Sequence, residues 1–493
     1  MSKTIIIIGA GLAGLSAALQ AAENGCNVKL VSSLPSERAQ SVMAEGGINV
    51  ALNTKDENDS PEEHFTDTIK AACGLADPNA VWGMTQAAPE LVHWLLKLGV
   101  KFNMSGYDDV DLRNFGGQKK KRTAFAQSDT GKQIMTAMID AVRRKEASGM
   151  VERFSHHSFL TLRLCGNICC GCVIRDEYSQ ETVELPGDAV IVATGGMHGL
   201  FGNTTGSLSN TGEVTAELFR LGVPLANGEM IQYHPTTVKC GGKRMLISEA
   251  ARGEGGRLFA MKDGKQWYFM EEKYPDLGNL MPRDITAREI WKVSHESEVF
   301  LDMTEISEEI ISNKLSGLAD DCMTYLHKDI RKEPVSVLPG IHYFMGGILV
   351  DEQHRTPIQN LCAAGECCAQ YHGANRLGGN SLLGALYGGR VAAKSACEQA
   401  DVVDLSCATQ IDFPPASQIS EIKQLNKVMQ ETMGVVRNEN TLLNGIQTVQ
   451  ALTGNLPLLG MAVLKSALAR KESRGAHWRE YYPKSNDDDY LKT

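Results

Sequence analysis

The hydrophobic pattern at the start of the chain predicts a strand, a tight turn, a helix and a second strand. Residues 5–8 are four consecutive isoleucines, and this run stops at Gly9. An alanine-rich segment over residues 16–23 is typical of a helix, and residues 27–31 form the next apolar run. These elements in this order indicate a βαβ unit that belongs to a buried parallel sheet.

Three glycines in the predicted turn have the spacing of a dinucleotide-binding loop. Gly9, Gly11 and Gly14 form Gly-x-Gly-x-x-Gly directly after the strand. In this motif the first glycine permits the turn, and the second lets backbone N–H groups approach a pyrophosphate at the positive end of the helix dipole. The third lets the helix pack closely on its strand. The pattern therefore predicts a dinucleotide at the start of this helix.

Two later apolar runs predict further strands of the same sheet. Residues 188–196 end in Ala-Thr-Gly-Gly, and residues 359–366 end at a glycine and an acid before a helix that starts near Asn380. Between them, from Gly228 to about residue 342, the chain consists of short segments with Pro, Gly, His and Arg. We interpret this stretch as an inserted domain, because a strand, a long excursion and a strand follow each other.

The absence of a second glycine motif bears on the choice of cofactor. Gly-x-Gly-x-x-Gly occurs once, and Ser32 and Ser33 stand where many NAD-binding proteins carry an acidic residue for the ribose. A separate NAD domain is therefore not expected, and FAD is the favoured single cofactor. After a predicted linker at residues 411–415, residues 416–493 have the pattern of amphipathic helices with a polar tail.

Composition places the chain among ordinary globular proteins. It has 493 residues, 43% of them hydrophobic and 22% charged, with a formal net charge of −10. This charge argues against nucleic acid or an anionic membrane as partner. No apolar run reaches the length of a membrane span and no signal-peptide pattern is visible, so we expect a cytoplasmic protein. The basic run at residues 119–122 is interpreted as a solvated loop.

The thirteen cysteines are an odd number, which favours free thiols over a disulfide framework. Four of them lie in a predicted hairpin that turns at residues 166–167, where thiols alternating along a strand point to opposite faces. We therefore expect no metal site. No ferredoxin spacing is present, so any iron–sulfur cluster is expected on another chain. The cysteines considered are Cys165, Cys169, Cys170, Cys172, Cys362, Cys367 and Cys368.

Several motifs in one order resemble the flavoprotein subunits of fumarate reductase and succinate dehydrogenase, with L-aspartate oxidase as a close relative. The resemblance runs nearly from end to end of the chain. Its motifs, besides the glycine turn, are residues 115–118, 129–131, 232–236 (Gln-Tyr-His-Pro-Thr), 248–256, 282–284 (Pro-Arg-Asp), 342–347, 372–382 and 470–477.

The resemblance implies an α/β fold with a Rossmann-like FAD-binding domain, an inserted α+β capping domain and a short C-terminal helical domain. On this chain the FAD-binding domain would comprise residues 1–228 and 343–410. The capping domain would comprise residues 229–342, and the helical domain residues 416–493. The resemblance also implies an iron–sulfur electron-transfer subunit as partner, through which the protein would lie peripheral to a membrane.

A small dicarboxylate is the substrate that the charged residues suggest. Two carboxylates need convergent cations and donors, and Arg376 offers a bidentate fork for one of them. His234, His342 and Ser248 offer single hydrogen bonds. Histidines in a core are often structural, but each of these lies inside a matched motif. Phe115 adds an apolar wall to the expected substrate site.

The resemblance implies roles for three further residues. In that family flavin N5 gives a hydride to one alkene carbon of fumarate, and an arginine protonates the other. The position of this arginine corresponds to Arg283, with Glu249 and Arg252 as the relay that resupplies its proton. The alternative role for Arg283 is a structural ion pair with Asp284.

The FAD contacts implied by the resemblance are spread over both halves of the chain. They include the glycine turn and the residues that follow later strands. The predicted set is Gly9, Ala10, Gly11, Gly14, Ser32, Ser41, Gly46, Gly47, Ala193, Thr194, Glu213, Glu366, Arg376, Ser381 and Leu382.

One departure from the resembled pattern concerns the attachment of FAD. Gln40 stands where many respiratory members carry the histidine that is covalently bound to the flavin. We therefore expect FAD to be held non-covalently. The main expectation is a fumarate reductase-type enzyme. L-aspartate oxidase, which carries a glutamate at the position of Phe115, and a non-catalytic flavin-binding subunit are the alternatives.

Overall fold

The isoleucine run at the N-terminus forms the central strand of a five-stranded parallel sheet. A computed structural model of the protein describes residues 2–106, 109–399, 413 and 418–491. The strands predicted at residues 27–31, 188–196 and 359–366 all belong to this sheet. In spatial order its strands are Leu361–Ala363, Ala189–Val192, Thr4–Ile8, Asn27–Ser32 and Val151–Ser155.

The sheet is buried on both faces, which explains why its central strand is apolar without alternation. Ile5 and Ile7 pack into the cluster formed with the helices Leu12–Glu23 and Asn380–Gln399. Ile6 and Ile8 point to the opposite face, where an antiparallel sheet covers them. The strands of that covering sheet are His157–Cys165, Ile168–Asp176 and Thr182–Pro186, and the first two form the predicted hairpin that turns at residues 166–167.

The segment predicted as an inserted domain forms two antiparallel sheets with a hydrophobic cluster of their own. The domain boundaries themselves stay a prediction. One sheet has the order Lys243–Leu246, Ile231–Cys240 and Leu338–Phe344, and the other has the order Lys265–Trp267, Arg257–Lys262, Val299–Asp302 and Val335–Ser336. Two small sheets lie elsewhere, Ile48–Asn49 with Thr123–Ala124 and Leu112–Arg113, and Leu225–Ala226 with Gly347–Leu349 and Cys368–Ala369.

The remaining α-helices surround these sheets. None of the helices among the described residues is both long and apolar enough to cross a membrane. They are Pro61–Ala71, Pro78–Leu98, Thr130–Ala147, Glu213–Arg220, Glu249–Gly253, Phe269–Lys273, Arg283–Val293, Glu308–Lys314, Ser316–Asp321, Ile419–Thr432, Glu439–Val449, Asn455–Ala469 and Asp487–Tyr490.

The C-terminal part is attached to the rest of the protein through two buried arginines, because Arg470 pairs with Glu229 and Arg474 donates to the carbonyl oxygen of Cys73. Of the predicted linker, only Phe413 lies within the described residues. The buried Glu472 accepts hydrogen bonds from the guanidinium groups of Arg470 and Arg474. The backbone N–H of Ala476 donates to the carbonyl oxygen of Ala374 at 2.8 Å. The C-terminal segment therefore fixes the loop that leads to Arg376.

Two predictions about charged and sulfur-containing residues need correction. The basic run at residues 119–122 is not simply a solvated loop, because the side chain of Arg122 is fully buried. Its guanidinium contacts Asp59 at 2.8 Å and Asp67 at 3.0 Å. Cys165 is disulfide-bonded, whereas eleven other cysteines of the described part are free thiols. A run of basic residues in the sequence does not indicate that one of them pairs with acidic residues more than fifty positions away.

Arg122→Met should lower the free energy of unfolding by about 3 kcal/mol or more, because it leaves two buried carboxylates without their cation. Lys119→Met is the matched control, since Lys119 belongs to the same basic run but is exposed. A change within about 0.5 kcal/mol is expected for it. Urea unfolding followed by circular dichroism measures both. Equal effects of the two substitutions would contradict the assigned ion pairs.

Candidate active site

A cavity of about 1230 Å³ opens at the carboxyl ends of the parallel strands. Four strands of the central sheet end at its wall, which includes Ser32 at the end of one strand and Gly9, Ala193 and Ala364 directly after the other three. Ligands of open α/β sheets bind at this edge, outside the carboxyl ends of the strands. The opposite wall comes from the segment 229–342, so the cavity lies between the sheet and this segment.

The glycine turn has the geometry that its motif requires. Gly9 has φ +112°, and a side chain on it would collide with the carbonyl oxygen of Ala193. A side chain on Gly14 would collide with the carbonyl oxygen of Gly9, so Gly14 allows the close packing of helix on strand. Gly11 caps the helix without a side-chain hydrogen bond, and no acidic residue occupies the first turn. The positive end of this helix is therefore accessible to an anion.

The residues around the turn fit an FAD molecule. Every predicted FAD contact except Gly14 lies on the wall of the cavity. The hydroxyl of Ser32 is buried there without a hydrogen-bond partner, as expected of a group that binds a ribose hydroxyl. Gly14 acts instead in packing. Gln40 lies on the same wall, and its Oε1 accepts a hydrogen bond from the backbone N–H of Ser207 at 2.6 Å.

A carboxylate held between two arginines forms the polar centre of the opposite wall. Glu249 Oε2 accepts from Arg283 Nη2 at 2.6 Å and from Arg283 Nε at 2.8 Å. Its Oε1 accepts from Arg252 Nη2 at 3.1 Å. Burial by itself would raise the pKa of Glu249, but these two guanidinium groups hold that pKa below its ordinary value. Glu249 is therefore ionised at neutral pH.

Arg283 faces the cavity, and Arg252 lies behind it. The side chains of Arg283 and Glu249 line the cavity, whereas Arg252 does not. Arg283 Nη1 also donates to Gln232 Oε1 at 3.1 Å. The alternative ion pair of Arg283 with Asp284 is wrong, because Asp284 contacts Arg288 at 3.6 Å. The fork of Arg283 is thus fixed on one side by Glu249 and open to the cavity on the other.

The predicted substrate ligands converge on the same space. His234 and His342 have ring centroids 5.1 Å apart, and Arg376 lies with its guanidinium 4.2 Å from the ring centre of Tyr343. Burial and the charge of Arg283 lower the pKa of both histidines well below the ordinary value, so both rings are neutral. Burial and Arg283 also lower the pKa of Arg376 to about 9.

Unpaired polar atoms in this group point to an anionic ligand. Nε2 of His234 and Nε of Arg376 are buried and have no hydrogen-bond partner within the protein. Buried polar groups are almost always hydrogen-bonded, so these atoms are available to donate to a ligand with acceptor oxygens. Two arginines facing one space would also repel each other, and this repulsion favours a dianion between them.

The last two predicted substrate residues shape the site in different ways. Phe115 is buried on the cavity wall, and its ring occupies the space where a side chain on Gly46 would lie. Ser248 lines the cavity and accepts from the N–H of Ala250 at 3.4 Å at the start of a short helix. Ser248 thereby positions Glu249, which is the next residue.

Sequence reasoning missed several residues that hold the site together. Thr205 contacts His342 Nδ1 at 2.7 Å through its hydroxyl, and nothing in its local sequence indicated this role. Gln232 and Tyr343 lie in matched motifs, so their proximity to the site was detectable, but their partners were not. Glu366 was predicted as an FAD contact, and burial raises its pKa to about 7.

Comparisons with known proteins show which family this chain resembles and which fold it shares. A family model described as "FAD binding domain" matches residues 4–382, and one described as "Fumarate reductase flavoprotein C-term" matches residues 453–493. A solved E. coli quinol fumarate reductase chain superposes with a TM-score of 0.90 at 27% identity, covering 99% of this chain and 93% of that one.

Two curated relatives have similar length. The succinate dehydrogenase flavoprotein subunit of Bacillus subtilis is 38% identical, covering 100% of this chain and 93% of the relative. The L-aspartate oxidase of Pyrococcus furiosus is 32% identical, covering 98% of this chain and 97% of the relative. The chain is therefore an FAD-dependent oxidoreductase, and it belongs to the family of succinate dehydrogenase and fumarate reductase flavoprotein subunits, to which L-aspartate oxidase is related.

Proposed function

We propose that this protein reduces fumarate to succinate. The observation that carries the proposal is the buried row Arg252, Glu249 and Arg283, which ends at a cavity that Arg376 and two neutral histidines also face. A row of alternating charges leading to the substrate space is suited to proton delivery, and the cations around that space are suited to a dicarboxylate.

The dicarboxylate would be held at both ends. Arg376 presents a fork for one carboxylate, and its Nε has no partner in the protein. His234, His342 and Ser248 provide single hydrogen bonds for the other. Because both histidines are neutral, they orient the substrate without adding charge. Phe115 is buried and closes the site on an apolar side.

The proton would come from Arg283. When bound, FAD supplies the hydride for one carbon of the double bond. Arg283 donates a proton to the other carbon, and Glu249 returns one to it from Arg252. An arginine is a weak acid in water because its pKa exceeds about 12. Contact with a developing carbanion in a buried site, with Glu249 fixed at 2.6 Å, makes the transfer feasible.

The apolar wall at Phe115 disfavours L-aspartate oxidase, the second candidate. Aspartate carries an ammonium group, to which Phe115 offers no anion, and the carboxylate of Glu249 is already paired with Arg252 and Arg283. A non-catalytic flavin-binding subunit is disfavoured because the arginine and histidine set is complete. The related chains named as subunits support a partner here too, and we propose that a separate iron–sulfur protein supplies the electrons.

Purified protein should contain FAD and reduce fumarate with a reduced viologen dye as donor. The dye oxidation rate should rise with fumarate concentration and saturate. The same preparation should show little hydrogen peroxide formation with L-aspartate and oxygen, because Phe115 offers no anion to the ammonium group. Aspartate oxidation without fumarate turnover would instead assign the protein to the second candidate.

Arg283→Ala should lower kcat by about a hundredfold or more, since it removes the proton donor, while FAD and succinate still bind. Arg376→Ala should weaken succinate binding about tenfold or more as well, because it removes a charged fork. Steady-state rates of dye oxidation with fumarate give kcat. The change in the flavin spectrum on titration with succinate gives the Kd of succinate. Arg288→Ala, in the same helix but outside the cavity, is the control. Identical losses of kcat and binding in both active-site variants would contradict these separate roles.

The FAD should leave the protein in acid. An amide side chain cannot form the bond that a histidine nitrogen makes to the flavin methyl carbon, so only hydrogen bonds, the helix dipole and packing hold FAD. Without that bond the flavin potential should be low, which favours fumarate reduction over succinate oxidation. Trichloroacetic acid precipitation followed by absorbance of the supernatant tests the attachment, and matched dye assays test the direction. Yellow protein in the pellet would refute the first expectation, and comparable rates would refute the second.

A further inference from the structure

Two thiols far apart in sequence lie side by side behind the cofactor cavity. The Sγ atoms of Cys26 and Cys397 are 3.1 Å apart. A disulfide bond measures about 2.05 Å, so the two sulfurs need to approach by about 1 Å. Cys26 is buried, and Cys397 is half-buried and therefore the more accessible of the two. Both are among the free thiols of the described residues.

The pair connects the two helices that flank the dinucleotide turn. Cys26 lies between the helix Leu12–Glu23 and the next strand, and Cys397 lies in the last turn of the helix Asn380–Gln399. These helices pack together along their length, and Ser16 Oγ of the first donates to the carbonyl oxygen of Leu386 in the second at 2.7 Å. A bond between the sulfurs would join the helices covalently at one end.

The other ends of the same helices form the cofactor site. The first helix begins at the glycine turn, and the second begins with Asn380 and places Ser381 and Leu382 on the cavity wall. A cross-link between the distal ends would oppose any separation of these two walls. It would act far from the reacting atoms, so it would change the rigidity of the site and not its chemistry.

Residues around Cys26 and Cys397 fix the position of Cys397 and influence its thiol. The Lys3 ammonium donates to the carbonyl oxygen of Cys397 at 2.7 Å, which fixes the end of the second helix against the N-terminal strand. Burial and the neighbouring Cys26 raise the pKa of the Cys397 thiol. The Cys397 thiol is therefore protonated at rest. Among the described residues, no group of three or more His, Cys, Asp or Glu is placed to hold a metal ion.

We propose that Cys26 and Cys397 are a reversible thiol–disulfide site that locks the two helices flanking the cofactor cavity. The oxidant is a low-molecular-weight disulfide. The Cys397 thiolate attacks it, forms a mixed disulfide and releases one small thiol. The Cys26 thiolate then attacks Cys397 Sγ and releases the second small thiol. Two protein thiols are oxidised, one small disulfide is reduced to two thiols, and the two protons go to those thiols.

The bond is identified by peptide mapping after incubation with oxidised glutathione and alkylation of the remaining thiols. Cleavage after Lys and before Asp gives residues 4–29 from one partner and residues 395–400 from the other, which separates Cys397 from Cys407. We expect the cross-linked pair of these two peptides, with a mass 2 Da below their sum, and its loss on reduction. Oxidised protein without this cross-linked pair overturns the proposal.

The lock is measured by thermal unfolding. Because the bond closes a very long loop, Tm of the oxidised protein should rise by about 5 °C, and FAD release on dilution should slow. Cys26→Ser and Cys397→Ser should each abolish the rise in Tm, and both variants keep Cys165 and its disulfide. Cys73→Ser removes a half-buried thiol elsewhere and should leave the rise in Tm unchanged. A rise of equal size in Cys26→Ser or Cys397→Ser, or no rise in cross-linked wild-type protein, overturns the proposal.

Discussion

The ion pair between Glu249 and Arg283 is the interaction on which the rest of the site depends. Both side chains are buried, so each needs the other to offset the loss of water. Arg252 neutralises the second oxygen of Glu249, and Gln232 positions the far side of Arg283. Separate elements of the segment 229–342 have to meet for this arrangement to exist. Buried pairs of this kind add little net stability, but they tolerate few alternative packings.

The charges around this ion pair sum to a positive value, which suits an anionic substrate. Glu249 neutralises one of the arginines in its group, so Arg283 and Arg376 leave a positive potential in the cavity. Burial is the main reason why His234 and His342 are neutral, and the positive potential of the arginines lowers their pKa values further. Selection of a dianion thus comes from the sum of the local charges, although the whole chain carries a net charge of −10.

Support for the substrate side comes from the C-terminal segment. Ala476 is hydrogen-bonded to Ala374, and Arg474 and Arg470 are fixed by Glu472. The loop between Ala374 and Arg376 is therefore determined by residues about a hundred positions later in the chain. On the cofactor side, the helices that begin at the glycine turn and at Asn380 pack on each other. Each wall of the cavity thus depends on contacts between distant parts of the chain.

The sequence by itself determined the parallel sheet, the dinucleotide turn, the hairpin at residues 166–167 and the family. These features rest on local patterns, such as the isoleucine run and the spacing of Gly9, Gly11 and Gly14, which encode strands and turns through neighbouring residues. The partners of Arg283, Arg122 and His342 were decided only by the tertiary structure. A charge can pair with any opposite charge that folding brings near it, and Glu249, Asp59 and Thr205 lie 34, 63 and 137 positions away from them. The residues next to an arginine or histidine in the sequence do not indicate which distant residue it contacts. The partners of these side chains therefore follow only from the tertiary structure.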